Sequence, residues 1–496
     1  MSQQPSVPGG PYGPPPGIPP QDPAAPYAGH LARPYAPVPP YPPQPPRNRR
    51  RGRLAVIIAA VVTVAALVAG TALWAMLSDD TPGKPSGVHT SASSSPKPTG
   101  PAVLWAAMEP DAPVPAGDGA WLTPHVYATG APEAVTGYHP ASGKVLWNVP
   151  LTGVICAASD TKTAAGLIAV TYAPAGSVKD RCTEIAVIDL NKGTMVWHRS
   201  IPEEKVKEGF RTSVAISDTT VAAGWEEYSV GYQTATGTPL WTAPASGCQG
   251  EDHRGVPSGR KVVTLARCGS MHKVGERDPA SGKMRWRFSV PGATDAWLVS
   301  AEPLVVGLTT NPELGLGNAN GMLVISPANK LQAAIDLGDK YQAGCEWLQS
   351  RCGKVVVTQD SFYVTSRIPG SQEADEIAAF DMRTGTRRWN VQLKQWPEQR
   401  VLPITADASG NLIAYVKAQG SVGSKVVSLS AQTGKHTVLL QMPDGKTAVD
   451  NQADDRMMSE KGTDYFHYQD GRLYLHSKSA VATYRGVVMN LVLGTR

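Results

Sequence analysis

The stretch that decides the fold is Asp189-Leu-Asn-Lys-Gly193-Thr-Met-Val-Trp197, in which Asp, Gly and Trp stand four residues apart. The same spacing recurs along the chain, with Asp replaced by His or Gln in two copies. The further frames are Asp278-Gly282-Trp286, Asp381-Gly385-Trp389, His139-Gly143-Trp147 and Gln233-Gly237-Trp241. A sixth copy, Ser430-Gly434-Val438, keeps only the glycine, and Ser326-Pro-Ala-Asn-Lys330 is a degenerate seventh. The chain therefore carries an internal repeat.

The repeat has a period of about 48 residues. Successive frame glycines lie 50, 44, 45, 103 and 49 residues apart, and the long step spans the degenerate copy. Each copy places an alternating apolar run, such as Ile185-Ala-Val-Ile-Asp189, before a turn that contains the glycine. Alternation with period two predicts a strand, and a fixed turn glycine predicts a positive φ at that position. Repeats of this length, with four short strands each, are typical of β-propeller blades.

The repeat predicts an all-β fold over residues 101–496, a single propeller of about eight four-stranded blades. Three further strand-like runs follow the last frame, at residues 472–476, 480–484 and 487–493. They predict either an eighth blade or the strand that closes the ring against residues 102–107. Seven blades remain the alternative.

The first hundred residues have a different composition. Residues 1–53 contain a proline-rich tail, with 18 of the 44 prolines before residue 47, and end in an arginine cluster. We expect this tail to be disordered, with a cytoplasmic partner for its proline runs as an open alternative. Residues 54–77 carry no charge and would form about 36 Å of helix, which predicts a transmembrane span in contact with the lipid bilayer. Residues 78–100 are rich in Ser, Thr and Pro and predict a linker.

Charge sets the predicted topology. The net charge of +5 comes entirely from residues 1–100, since residues 101–496 hold 38 positive and 38 negative side chains. The excess arginines precede the apolar run, and Asp79 and Asp80 follow it. The positive-inside rule then predicts a cytoplasmic N-terminus, a single-pass signal-anchor in the cell membrane and an extracytoplasmic propeller. The neutral propeller predicts no nucleic-acid partner.

The frame Asp-x-x-Thr/Ser-Gly-Lys-x-x-Trp resembles the tryptophan-docking repeat of the pyrroloquinoline-quinone (PQQ)-like β-propellers. That superfamily includes quinoprotein alcohol dehydrogenases, outer-membrane assembly lipoproteins of the BamB type and exported actinobacterial propellers. The resemblance implies that Trp147, Trp197, Trp241, Trp286 and Trp389 dock between adjacent blades. Asp189, Asp278 and Asp381 are expected to close turns by accepting hydrogen bonds from backbone N–H groups.

The six cysteines all lie in the predicted exported part, which favours disulfides. The repeat frame places the first two in one unit and the next two in another, while the last two lie close together. This predicts the pairs Cys156–Cys182, Cys248–Cys268 and Cys345–Cys352. A metal site is not predicted, because no Cys-x-x-Cys occurs and the histidines lack ligand spacing.

The sequence favours a non-enzymatic binding scaffold or envelope sensor whose partner is a cell-envelope protein. Quinoprotein dehydrogenases of the resembling family bind PQQ and calcium beside an adjacent-cysteine ring, and this chain has no Cys-Cys dipeptide. No nucleotide-binding loop, Gly-x-Ser-x-Gly or His-Glu-x-x-His motif occurs. We therefore expect no catalytic residues and no cofactor; a PQQ- and calcium-dependent dehydrogenase is the alternative. Candidate rim patches are residues 226–228, 252–254 and 465–468, and none of them is predicted to be a site.

Overall fold

A computed structural model describes most of the predicted propeller. The described residues are 102–109, 118–131, 133–174, 181–201, 212–225, 228–244, 249–255, 261–310, 318–341, 343–346, 351–366, 376–393, 401–417, 423–442, 465–476, 482–483 and 486–495. They belong to the second of two compact units, residues 1–93 and 94–496. The predicted tail, transmembrane span and linker (1–53, 54–77 and 78–100) lie outside them. Within the described ranges no helix is long and apolar enough to span a membrane.

The described residues form an all-β fold in which eight antiparallel sheets, here called blades, follow one another along the chain. The first strand, β1 (Ala102–Glu109), belongs to blade 8. Blade 1 is β2 (Ala120–Leu122), β3 (Tyr127–Ala131), β4 (Ala134–Tyr138) and β5 (Val145–Pro150). Blade 2 is β6 (Gly153–Ala158), β7 (Leu167–Pro174), β8 (Glu184–Asp189) and β9 (Thr194–Ser200). Blade 3 is β10 (Ser213–Ile216), β11 (Thr220–Trp225), β12 (Tyr228–Gln233) and β13 (Pro239–Pro244). Blade 4 is β14 (Gln249–Gly255), β15 (Val262–Cys268), β16 (Met271–Arg277) and β17 (Met284–Val290).

The remaining blades continue this order with one insertion. Blade 5 is β18 (Asp295–Ala301), β19 (Leu304–Thr309), β21 (Gly321–Ile325) and β22 (Leu331–Asp336). A small separate sheet combines β20 (Asn318–Ala319), β23 (Ala343–Glu346) and β24 (Arg351–Gly353). Blade 6 is β25 (Val355–Val357), β26 (Ser361–Thr365), β27 (Glu376–Asp381) and β28 (Arg387–Gln392). Blade 7 is β29 (Val401–Ala406), β30 (Leu412–Val416), β31 (Lys425–Leu429) and β32 (His436–Gln441). Blade 8 contains β33 (Tyr465–Gln469), β34 (Arg472–His476), β36 (Gly486–Gly494) and β1, with the short β35 (Ala482–Thr483) beside β36.

Within the described part of the chain, eight hydrophobic clusters join the blades into a ring. Seven of them fill the junctions from blades 1 and 2 to blades 7 and 8. The eighth combines Trp105 and Tyr465 of blade 8 with Tyr127 of blade 1. First strands of neighbouring blades also contact one another, for example β10 with β14 and β29 with β33. The described residues therefore form a closed, propeller-like ring of eight blades, with the first strands innermost and the fourth strands outermost.

Blade 8 differs in detail from the sequence prediction. The runs predicted at 472–476 and 487–493 are strands β34 and β36, and β1 pairs with β36 from Ala102 opposite Gly494 to Glu109 opposite Val487. The run predicted at 480–484 contains only the two-residue β35. The innermost strand is β33, which includes the candidate rim patch 465–468. That patch is therefore a blade strand, and the rim assignment was wrong.

One disulfide lies within a blade and a second lies in the small sheet. Cys156 in β6 is bonded to Cys182, just before β8 of the same blade. Cys345 and Cys352 are bonded directly across the β23–β24 pair of the small sheet. Cys268 is also disulfide-bonded, and its predicted partner Cys248 lies outside the described residues.

Candidate functional site

Each frame forms a tight turn between the third and fourth strands of its blade. In blade 2 the N–H of Gly193 donates to the carbonyl oxygen of Asp189 at 2.8 Å, and Gly193 has a φ of 66°. The Asp189 carboxylate accepts hydrogen bonds from the N–H groups of Asn191 and Lys192 at 2.9 and 3.1 Å. Positive φ explains the glycine, because a side chain is unfavourable in that region. The aspartate holds the turn closed through its side chain.

The other two frame aspartates make the same turn contacts and also bind arginine. Asp278 accepts from the N–H of Ser281 at 2.8 Å, and Asp381 accepts from the N–H of Thr384 at 2.9 Å. Arg388 binds the Asp381 carboxylate at 2.7 Å and, with the backbone N–H donors, holds the pKa of that carboxyl far below its usual value. Hydrogen bonds from Ser281 and Arg285 likewise lower the pKa of Asp278. These carboxylates are engaged within their own blades.

The frame tryptophans pack on the turn of the next blade. A Cβ atom added at Gly193 would collide with the indole of Trp147, and one added at Gly237 would lie 2.6 Å from Cδ2 of Trp197. The remaining pairs with this contact are Trp241 on Gly282 and Trp389 on Gly434. Only glycine leaves room for the ring, so the frame glycine has a second role besides its φ. The tryptophans and glycines thus form the interfaces between blades.

Hydrogen bonds fix the docked rings. The indole N–H of Trp197 donates to the carbonyl oxygen of Thr234 at 2.7 Å, and that of Trp241 donates to Pro279 at 2.8 Å. Trp389 donates to Ala431 at 3.0 Å. In every case the acceptor follows the Asp position of the next frame by one residue. Each ring therefore combines a large buried area with one directional bond.

Two frame tryptophans depart from this pattern. Trp147 packs on Gly193, but its Nε1 has no hydrogen-bond partner among the described residues. Trp286 donates to Glu276 of its own blade at 3.3 Å. The turn of blade 5, which Trp286 would meet, is one residue shorter than the others and uses Asn329 with a φ of 60° in place of glycine. The degenerate frame predicted at 326–330 is thus a turn with altered geometry.

The fourth strand of blade 5 has no tryptophan, and Gln332 of that strand supplies the missing hydrogen bond. Its side-chain amide donates to the carbonyl oxygen of Met382 at 3.0 Å, the residue after Asp381. That carbonyl corresponds to the acceptors that the indoles use elsewhere. The turn of blade 6 also approaches the blade 5 backbone, because a Cβ at Gly385 would collide with the carbonyl of Ala334. This substitution was not predicted from the sequence.

Trp105 is a docking tryptophan that the sequence analysis did not include in the repeat. It lies in β1, the outermost strand of blade 8, and packs on Gly143 of blade 1. Its indole N–H donates to Pro140 at 3.0 Å, one residue after His139. The signal was visible in the sequence, since Val103-Leu-Trp105 repeats Val145-Leu-Trp147. Val438 of blade 7 meets no corresponding turn, because the two outer strands of blade 8, β36 and β1, are not consecutive in the sequence.

Polar side chains reinforce the seam between blades 8 and 1. Tyr465 donates to the carboxylate of Asp118, and a ring nitrogen of His467 lies 3.0 Å from the carbonyl oxygen of Ala120. Asn490 lies 2.9 Å from His476. Its amide also donates to Thr129 of blade 1 at 3.2 Å.

The other two candidate rim patches lie in blades 3 and 4. In the patch 226–228, Tyr228 contacts the ring of Trp225, and residues 226–227 lie outside the described residues. The patch 252–254 belongs to strand β14.

No set of ligands for a calcium-bound quinone is assembled among the residues that the structure describes. In the described ranges no group of three or more His, Cys, Asp or Glu side chains is arranged to hold a metal ion. The frame carboxylates, which are the repeated acidic groups, are occupied by backbone N–H donors and arginines. We therefore derive no chemistry through such a cofactor.

Known proteins match this chain by family profile and by structure. The sequence profile of the family described as outer membrane protein assembly factor BamB matches residues 61–254 and 226–459. No curated protein matches the sequence. Solved structures that match include BamB from Moraxella catarrhalis, with 13% identity, a TM-score of 0.47 and coverage of 79% of this chain and 99% of that one. A second is the quinohemoprotein alcohol dehydrogenase ADHIIG from Pseudomonas putida HK5, with 12% identity, a TM-score of 0.45 and coverage of 79% and 76%. On the profile match, the chain belongs to the BamB family of PQQ-like β-propellers.

Proposed function

We propose that this protein is a single-pass membrane-anchored, extracytoplasmic propeller that acts by binding a protein partner of the cell envelope. The observation that carries the proposal is the use of the repeat residues. The carboxylates of the frames bind within the turns, and the indoles and glycines pack together at the blade junctions. These groups therefore hold the ring together. Recognition is then left to the loops and rims of a rigid support, where such folds present variable surface.

The family description supports a binding role. Its namesake is an assembly factor for outer membrane proteins, which is a function exercised on other proteins. We extend only the general role, a scaffold or sensor in the envelope, to this chain. The alternative is a PQQ- and calcium-dependent dehydrogenase. Among the described residues, no group of three or more His, Cys, Asp or Glu side chains is arranged to hold its calcium ion.

The anchoring part of the proposal rests on the sequence. Residues 54–77 are uncharged and long enough to span a bilayer, and the arginines at 47–53 favour a cytoplasmic N-terminus. The linker 78–100 would hold the propeller outside the membrane, and the proline-rich tail would offer a cytoplasmic contact.

Three measurements on the full-length protein in its native membrane test the proposal. Alkaline carbonate extraction should leave the protein in the membrane, and external protease should cleave the propeller while sparing an N-terminal tag. Crosslinking followed by affinity capture should recover a protein partner that is absent when the crosslinker is omitted. Substrate-dependent dye reduction by the purified protein with PQQ and calcium would replace the scaffold proposal with the dehydrogenase.

A further inference from the structure

One frame turn is capped by a histidine. His139 takes the aspartate position in blade 1, and its side chain is exposed. The N–H groups of Ala141 and Ser142 each donate to Nδ1 of His139 at 3.3 Å, and the Ser142 hydroxyl lies 3.2 Å from the same atom. A backbone N–H can only donate, so Nδ1 must hold a free lone pair. The side-chain cap of this turn therefore requires a neutral imidazole.

Blade 4 contains the same turn with an aspartate. The two sequences, His139-Pro-Ala-Ser-Gly-Lys144 and Asp278-Pro-Ala-Ser-Gly-Lys283, differ only in the first residue. Oδ1 of Asp278 accepts from the N–H groups of Ala280 and Ser281 at 3.1 and 2.8 Å, and from the Ser281 hydroxyl at 2.9 Å. Hydrogen bonds from Ser281 and Arg285 lower the pKa of Asp278, so this carboxylate still accepts at pH values where an imidazole gains its proton.

The histidine turn is the one that receives Trp105 of β1. The Trp105 indole donates to the carbonyl oxygen of Pro140 at 3.0 Å and packs on Gly143. It also stacks on the ring of Tyr138, with the centroids 5.4 Å apart. Trp105 fastens the outermost strand of blade 8 to blade 1, so the shape of this turn affects the seam that closes the ring.

The charged groups around the turn are mainly cations. Lys144 ends the turn and is exposed, and Tyr138 precedes the turn on β4. Arg472 of β34 pairs with Gly494 of β36, the strand beside β1. The described carboxylates of the seam lie elsewhere, at the opposite end of the strands or on the inner turn of blade 8. They are Asp118, Glu109 and Asp470.

Two other histidines of this seam keep their hydrogen bonds when they gain a proton. A ring nitrogen of His467 lies 3.0 Å from the carbonyl oxygen of Ala120, and Nδ1 of His476 lies 2.9 Å from Oδ1 of Asn490. These oxygens accept an N–H from a neutral or a protonated ring alike. Of the three histidines, His139 is the one whose bonds are lost on protonation.

We propose that the seam between blades 8 and 1 is sensitive to protons: protonation of His139 removes the cap of the blade 1 turn, weakens the docking of Trp105 and lets β1 open more readily. A protonated Nδ1 is a donor that faces two backbone donors. Because histidine changes charge between pH 5 and 8, the cap is present above this range and lost below it. The inference goes beyond the proposed function and does not depend on the membrane anchor.

Hydrogen exchange of the full-length protein at pH 5 and pH 8, followed by mass spectrometry, tests the proposal. His139→Asp is the reference variant, because it gives blade 1 the turn that blade 4 already uses. Comparison of the two proteins at the same pH cancels the effect of pH on intrinsic exchange. We expect the ratio of exchange rates of residues 102–109, wild type over variant, to rise about fivefold from pH 8 to pH 5, the effect of one net hydrogen bond.

The chain offers matched controls in blades 3 and 4. Residues 239–244 carry Trp241, which docks on the Asp278 turn, so their ratio should be the same at both pH values. Asp278→His should transfer the acid sensitivity to residues 239–244. His139→Ala has no acceptor at either pH, so its ratio to His139→Asp for residues 102–109 should stay constant.

Two results would overturn the proposal. The first is a wild-type ratio for residues 102–109 that is the same at pH 5 and pH 8. The second is an acid-dependent rise of the same size in His139→Ala, because that variant has no imidazole at position 139 to protonate.

Discussion

Replacement of Trp197 by alanine should destabilise the ring through the junction of blades 2 and 3. The Trp197 side chain is buried, packs on Gly237 and contacts the ring of Tyr232. Its N–H bond to Thr234 is the shortest of the docking hydrogen bonds at 2.7 Å. The substitution removes the packed ring and leaves the Thr234 carbonyl without this donor.

We expect the free energy of unfolding to fall by about 3–5 kcal/mol, the usual cost of truncating a buried tryptophan. An unfolding entropy of about 2.1 cal/mol/K per residue, applied to roughly 400 residues that unfold together, converts this to a decrease in Tm of about 4–6 °C. The neighbouring Val196→Ala is the control, because Val196 is 40% exposed and should cost less than about 0.5 kcal/mol.

A double-mutant cycle with Gly237→Ala isolates the docking contact. Alone, Gly237→Ala introduces a methyl group that overlaps the indole and places alanine at a φ of 67°. In the Trp197→Ala background the overlap disappears, and only the backbone penalty of about 1–2 kcal/mol remains. Urea denaturation measures both costs. Equal costs of Gly237→Ala in the two backgrounds would refute docking of Trp197 on that turn.

Three further substitutions probe separate features. Asp381→Asn should destabilise the protein at pH 7. Arg388 lowers the pKa of Asp381 in the folded state, so the carboxylate stabilises the fold above the unfolded-state pKa and this stabilisation is lost on acidification. The difference in stability between the wild type and the variant should therefore shrink as the pH falls below about 4. Denaturant midpoints from pH 2 to 7 measure this; a constant difference would contradict it. Gln332→Ala should cost about 1 kcal/mol by removing the bond to Met382, measurable in urea, and a neutral effect would mean the amide does not replace the indole. Trp105→Ala should cost about 3–5 kcal/mol in thermal unfolding, and an unchanged Tm would contradict its docking role.

The fold was predictable because the repeat expresses local geometry. A glycine with positive φ, an aspartate that caps the turn and a tryptophan four residues later all lie within nine residues, so the pattern survives in sequence. The all-β, propeller-like architecture followed from the period. Trp105 was not predicted as part of the repeat because β1 lies far in sequence from the other strands of blade 8, so no Asp and Gly of a frame precede it.

Other features depend on relations that spacing does not encode. Gln332 replaces an indole only because its amide meets the carbonyl of Met382 on the next blade, and the shortened turn of blade 5 shifts the frame. Residues 465–468 look like an aromatic surface patch in sequence. They form an inner strand because they pair with β34, and the Tyr465 hydroxyl bonds to Asp118, nearly 350 residues away, across the seam with blade 1. The frame residues make contacts within turns and blade junctions, and no ligand site is derived from them.

The strand that follows the proposed membrane tether, β1, closes the ring by pairing with β36. Hydrogen exchange of the full-length protein, followed by mass spectrometry, measures this directly. Peptides covering 102–109 and 486–494 should exchange slowly and lose protection together, since β1 and β36 form one ladder. Exchange of 102–109 as fast as that of the linker, with 486–494 still protected, would contradict closure of the ring by β1.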